Sequence, residues 1–162
     1  MWASRFDNHC GVGTYLLNSR VVHAVSTTDS VLGPYQEKES VVPPFAHEPD
    51  VVRAPTGELV MISVHGDLGK YHPCQCAADG TPTGPCPGGC NSCHIQSPTL
   101  TVASAPDGPW ATTTIWAGGG ENPSIWITKE GSMRGMSRGG KISAYAADWV
   151  RQLRHHFGPS HA

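Results

Sequence analysis

The chain has 162 residues, which is enough for one ordinary domain with a hydrophobic core and leaves no room for two. Its net charge of −2 and charged fraction of 15% exclude the basic face or run that nucleic-acid binding normally shows, so a carbohydrate or a small neutral partner fits better. Nineteen Gly and 14 Pro beside 38% hydrophobic residues predict a globular protein built from short strands and tight turns.

The start of the chain lacks the basic residues and the apolar stretch of a secretory leader. Either the protein is cytosolic, or its beginning is missing from this sequence. The incomplete repeat described below favours the second interpretation, and with it an extracellular location. No stretch approaches the roughly 18 consecutive apolar residues of a membrane span, so we expect no membrane partner.

Apolar alternation and turn residues predict ten short strands in chain order. The first three cover residues 2–6, 19–26 and 36–42, the next four cover 50–53, 58–64, 99–104 and 111–117, and the last three cover 123–128, 132–138 and 141–146. Four antiparallel strands per unit are typical of a β-propeller blade. Residues 150–157, rich in Arg and His, predict a short capping helix or a frayed tail.

Two motifs occur in the same order on both sides of a cysteine-rich insertion. Gly33-Pro34-Tyr35 corresponds to Gly108-Pro109-Trp110, and His47-Glu48-Pro49 corresponds to Glu121-Asn122-Pro123. Tyr35 and Trp110 are 75 positions apart, and His47 and Glu121 are 74 positions apart. Such a period indicates a repeated supersecondary unit that must bury its hydrophobic face against a neighbour.

Several stretches resemble the five-bladed β-propeller glycoside hydrolases, most closely the arabinanase and β-xylosidase group called family 43. They are NHCGVGTY at 8–15, SRVVHAVS at 19–26, FAHEPDVVRAPTGELVM at 45–61 and ENPSIWITKEGSMRGMSR at 121–138. The resemblance implies an all-β fold with about two and a half four-stranded antiparallel blades of a five-bladed β-propeller. The propeller domain would cover residues 1–149, with an insertion loop at 66–97, and residues 150–162 would form a tail.

A partial propeller leaves sheet edges and apolar faces exposed. Propellers close with about four to eight blades, whereas this chain supplies strands for fewer. We therefore expect either an incomplete copy of the domain or self-association through the exposed blade edges.

In the resembled family, the first strand of each blade lines the central axis, and its opening residues include the catalytic carboxylates. The resemblance implies inverting acid–base hydrolysis of a plant or algal polysaccharide or oligosaccharide, with no metal or cofactor. Glu48 and Glu121 are then the expected catalytic carboxylates, and Glu121 reaches the axis only if the strand entry is a loop or turn. The expected substrate-binding residues are His47, Asn122, Arg138 and Trp116.

One departure from the family pattern leaves a second function open. The strand openings are the two motifs His47-Glu48-Pro49 and Glu121-Asn122-Pro123. In the second opening, the residue directly before the proline is Asn122 and not a carboxylate. A propeller that binds carbohydrate without turning it over is therefore the alternative to the hydrolase.

Five cysteines in the insertion allow two interpretations. They are Cys74, Cys76, Cys86, Cys90 and Cys93, with His72 and His94 nearby. Zinc requires four such ligands at short spacing, which would make the insertion a zinc-binding interaction module. Disulfides in a secreted protein explain the same residues and are favoured; because five is odd, Cys10 is a candidate partner for one of them. The connectivity is not assigned.

Overall fold

The computed structural model describes residues 1–11, 14–65, 73–84, 97–115, 121–129, 132–138 and 143–145. These residues form an all-β fold, as predicted, with one four-residue helix. The elements are β1 (Trp2–Phe6), α1 (Tyr15–Asn18), β2 (Ser19–Ser26), β3 (Tyr35–Val42), β4 (Ala46–Arg53), β5 (Leu59–His65), β6 (Ser97–Ala103), β7 (Ala111–Ile115), β8 (Ser124–Ile127), β9 (Met133–Met136) and β10 (Ser143–Tyr145).

Each predicted strand corresponds to one of these strands, and the bounds of β1 and β2 match the prediction at both ends. The predicted helix or tail at 150–157 lies outside the described residues. None of the helices in the described ranges is long and apolar enough to cross a membrane.

The strands form three antiparallel sheets with the orders β1-β2-β3, β4-β5-β6-β7 and β10-β9-β8. Neighbours in each sheet are neighbours in sequence, so every sheet is a meander. The turn between β4 and β5 shows how the sequence closes one connection: the Gly57 N–H donates to the Ala54 carbonyl at 2.8 Å. Gly57 adopts a φ of 102°, which a side chain would disfavour.

The second sheet is buried on both faces, because its strand β5 is buried from Leu59 to Val64. Val60 and Ile62 pack in one apolar cluster with residues of the third sheet, such as Met133. Met61 points the opposite way and packs with Val21 of the first sheet. Since neighbouring side chains of a strand face opposite sides, the second sheet lies between the first and the third.

The two Gly-Pro-aromatic turns adopt the same local structure. Gly33 and Gly108 have φ values of 86° and 78°. Each glycine N–H donates to the carbonyl three residues earlier, at 3.2 and 3.0 Å. Tyr35 Oη and Trp110 Nε1 each donate to the carbonyl four residues earlier. The sequence repeat is therefore also a repeat of backbone and side-chain geometry.

The insertion is fastened to the loop after β1 by a disulfide between Cys10 and Cys76. Cys74 is also disulfide-bonded, and none of the described cysteines is a free thiol. These three cysteines pack with Leu17 and Phe45. The disulfide interpretation is thus confirmed for the described cysteines, whereas Cys86, Cys90 and Cys93 lie outside the described residues.

Candidate functional site

The opening of β4 contains a bulge that turns Glu48 out of the sheet. The register between β4 and β5 shifts between His47 and Asp50, so Glu48 and Pro49 have no partner residue in β5. Pro49 has no N–H for the ladder. Glu48 adopts a left-handed φ of 55°, and its N–H donates to Ser4 Oγ of β1 at 2.8 Å. A bulge of this kind redirects a side chain at the end of a sheet.

The opening of β8 repeats this geometry. Asn122 directly precedes a proline, as Glu48 does, and it has a left-handed φ of 52°. Asparagine tolerates this conformation better than most residues. The Asn122 N–H donates to Glu48 Oε2 at 2.6 Å. The two openings are therefore structural equivalents and are in direct contact.

Glu121 lies in a bend before β8 and not within the strand. For Glu121 to reach the axis, the sequence required a loop or turn at this strand entry, and the chain is irregular there. The Arg138 N–H donates to the Glu121 carbonyl at 2.7 Å, and the Arg138 guanidinium lies 3.6 Å from the Glu121 carboxylate. The Arg138 side chain remains 77% exposed, so its guanidinium is accessible to a ligand.

His47 is the buried member of the site, with 5% of its surface exposed. Its Nδ1 lies 3.4 Å from Ser19 Oγ. Burial lowers the pKa of His47 below its ordinary value, and the negative charges of Glu48 and Glu121 oppose this shift only in part. His47 is thus a neutral imidazole at neutral pH, and it lies within the electrostatic reach of both carboxylates.

The lowered pKa of His47 predicts a pH-dependent stability. The unfolded chain protonates His47 near its ordinary pKa of about 6.5, whereas the folded chain does so only at lower pH. Between those values the unfolded state binds more protons, so the free energy of unfolding falls as pH falls below about 6.5. Calorimetry of wild type and His47→Gln from about pH 7.5 to pH 5 should show a weaker decline of Tm in the variant. The same decline of Tm with falling pH in both proteins would contradict the lowered pKa of His47.

Asp50, which the sequence pattern indicated only as the first residue of a strand, is a further residue of this region. Its Oδ2 accepts the Ser124 hydroxyl at 2.9 Å and the Ile125 N–H at 2.9 Å. Ser124 is the equivalent of Asp50 one repeat later, just as Asn122 is the equivalent of Glu48. The sequence offered one signal for this contact: the carboxylate of Asp50 and the hydroxyl of Ser124 occupy equivalent positions in the two repeats and can form a hydrogen bond.

We predict that Asp50→Ala lowers the free energy of unfolding by about 2–3 kcal/mol, because hydrogen bonds to a charged group are strong and the Ile125 N–H loses its acceptor. Asp29→Ala is the matched control, since Asp29 is an exposed acid in the loop after β2. It should change stability by less than about 0.5 kcal/mol. Urea denaturation measures the stability of both variants. Equal midpoints for Asp50→Ala and Asp29→Ala would refute a stabilising role of Asp50.

The structure brings five of the six predicted site residues together, namely His47, Glu48, Glu121, Asn122 and Arg138. Trp116 lies outside the described residues. Phe45, two positions before His47, packs against the disulfide-bonded cysteines, so the described part of the insertion lies beside the opening of β4. The arrangement combines two carboxylates, a neutral imidazole and an exposed guanidinium, which suits hydrogen bonding to a polyhydroxylated ligand.

The chain matches no protein-family model, no curated protein and no solved structure. The resemblance to family 43 therefore depends on the quoted motifs alone.

Proposed function

We propose that the chain is a glycoside hydrolase unit whose site lies where the openings of β4 and β8 meet. The observation that supports this most directly is the hydrogen bond from the Asn122 N–H to the Glu48 carboxylate. It joins equivalent positions of two repeated units, and each unit brings one glutamate to the junction. Carboxylates gathered in this way are the groups that glycosidic bond hydrolysis uses.

The three sheets would be blades of a five-bladed β-propeller. Their sequential meander topology, the burial of the second sheet on both faces and the repeated turn geometry all support this proposal. In a propeller, the openings of first strands face a common axis, and β4 and β8 are the proposed first strands. Glu48 and Glu121 would then line that axis.

In the proposed reaction, Glu48 is the base and Glu121 is the acid. The Asn122 N–H orients Glu48, so its carboxylate could accept a proton from the attacking water. Glu121 would protonate the leaving oxygen, with Arg138 beside it to bind the departing sugar. His47 would donate or accept a hydrogen bond as a neutral imidazole.

Hydrolysis of a panel of aryl glycosides, including arabinofuranosides and xylosides, tests this function. The proposal expects turnover of at least one substrate by the wild-type protein, and calorimetric binding of the corresponding oligosaccharide. If the protein neither hydrolyses nor binds any member of the panel, a carbohydrate function is refuted. Binding without turnover would support the second candidate.

The second candidate is a carbohydrate-binding propeller without turnover. Two observations favour it: Asn122 occupies the position equivalent to Glu48, and the Glu121 carboxylate lies 3.6 Å from a guanidinium. The guanidinium can hold the Glu121 carboxylate in place as a hydrogen-bond acceptor for sugar hydroxyls. Sugar hydroxyls could then be bound by the two glutamates as acceptors and by Arg138 as a donor.

An extracellular location forms part of the proposal. Disulfides persist in oxidising compartments and are rare in the cytosol. The bonded state of Cys10, Cys74 and Cys76 therefore supports export of the protein.

A further inference from the structure

A second cluster of functional side chains lies between the first and second sheets, outside the site described above. His23 of β2 pairs directly with Glu39 of β3 in the sheet register. Asp107 approaches from the connection between β6 and β7, next to the turn glycine Gly108. His23 Nδ1 lies 3.5 Å from Glu39 Oε1 and 3.7 Å from Asp107 Oδ1. The three ligand atoms all lie within 4.8 Å of one another.

Two atoms of this cluster are buried without a hydrogen-bond partner. His23 is only 4% exposed, and its Nδ1 makes no hydrogen bond. Glu39 Oε1 is likewise buried without a hydrogen bond. Burying polar atoms without partners costs free energy. In the tautomer protonated at Nε2, the Nδ1 lone pair faces the carboxylate, and a cation between them would remove that repulsion.

Two of the three spacings between the donor atoms fit a small divalent ion. Zinc bonds to nitrogen and oxygen are roughly 2.0–2.2 Å long, so a tetrahedral site has ligand–ligand edges of about 3.3–3.6 Å. Both distances from His23 Nδ1 are close to this value. Imidazole with two carboxylates is a donor set that a borderline ion such as zinc accepts.

The imidazole is also held in place for ligation. Trp2 stacks on His23 with ring centroids 5.1 Å apart and an interplanar angle of 15°. Trp110 packs edge-on against Trp2 at 5.8 Å. Packing of this kind fixes the ring orientation that a metal ligand needs.

We propose that His23, Glu39 and Asp107 form a Zn²⁺ site that links the first sheet to the second. The three residues supply one nitrogen and two oxygen ligands, and the fourth position is open to water. The site is distinct from the Glu48 and Glu121 junction and from the cysteine-rich insertion. It would hold the Gly-Pro-Trp turn of one repeat against the preceding sheet.

Lys38 gives the proposal a discriminating test. Its Nζ donates to Asp107 Oδ2 at 2.6 Å, and this bond lowers the pKa of Asp107. A bound Zn²⁺ would be repelled by this ammonium group. Lys38→Met should therefore tighten zinc binding by about tenfold or more, whereas a purely structural ion-pair cluster would gain no affinity for zinc.

The experiment is calorimetric titration of chelator-treated, disulfide-intact protein with zinc chloride. We expect one equivalent to bind in the wild type, at least about tenfold weaker binding in Asp107→Asn, and unchanged binding in Asp29→Asn. Asp107 is 58% exposed, so its substitution should leave the fold intact. Circular dichroism checks this, and zinc should raise Tm in the wild type more than in Asp107→Asn.

Cobalt(II) substitution distinguishes this site from one made of cysteines. Thiolate ligands give an intense charge-transfer band in the near ultraviolet, and the proposed nitrogen and oxygen ligands do not. A saturable cobalt spectrum without that band, lost in Asp107→Asn, would support the site. Absence of saturable binding, a thiolate band, or equal affinity in wild type and Asp107→Asn would overturn it.

Discussion

Loss of the Cys10–Cys76 disulfide in Cys10→Ala/Cys76→Ala is expected to lower the free energy of unfolding by about 3–5 kcal/mol. The bonded cysteines are 66 positions apart, so the cross-link closes a long loop. Restricting a loop of that length in the unfolded chain corresponds to about 4 kcal/mol in the chain-entropy account. The cysteines also pack with Leu17 and Phe45, and alanine removes part of those contacts.

Urea denaturation separates these two contributions. An unfolded chain without the cross-link exposes more surface, so the slope m should rise in the double variant while the midpoint falls. A lower midpoint with an unchanged slope would indicate that only packing was lost. An unchanged midpoint and slope would contradict the role of this disulfide in stability.

For the proposed hydrolase, Glu48→Gln is expected to reduce kcat by about 10²–10⁴-fold on any substrate that the wild type hydrolyses. The amide oxygen of glutamine can still accept the Asn122 N–H, so the contact between the two openings should persist. Because the substitution removes the base and keeps the shape, KM should change much less than kcat.

Glu37→Gln is the matched control for this experiment. Glu37 is a glutamate of β3 that pairs with Arg20 at 2.8 Å, outside the proposed site. Its substitution makes the same chemical change and should leave kcat unchanged. Turnover that survives Glu48→Gln at the wild-type rate would remove Glu48 from the mechanism.

The strands were predictable because Gly, Pro and polar residues lie at their ends, and because some of them, such as β9, alternate buried and exposed side chains. The prediction was least accurate at β4, which it began at residue 50. Pro49 interrupts the ladder and so indicated a strand start, but the bulge lets pairing resume at Ala46 and His47 on the other side. A proline indicates that the hydrogen-bond ladder is interrupted, but it does not indicate whether the strand continues on the other side.

Part of the candidate site was predictable from the repeat and part was not. The period aligned Glu48 with Asn122, and the structure places these residues in contact. The hydrogen bonds of Asp50 depend on how the second and third sheets approach each other, and the repeat indicated only that Asp50 and Ser124 are equivalent positions. The cluster around His23 likewise combines strand register with a loop from another sheet.

The most direct test of the central claim, that the openings of β4 and β8 form one carbohydrate site, is a crystal structure. It should use Glu48→Gln with an oligosaccharide that the wild-type protein binds or hydrolyses. The account predicts a sugar ring within hydrogen-bonding distance of residue 48 and of Glu121, with the Asn122 N–H still on the residue 48 side chain. A sugar bound elsewhere on the chain, or two openings that are not in contact, would contradict it.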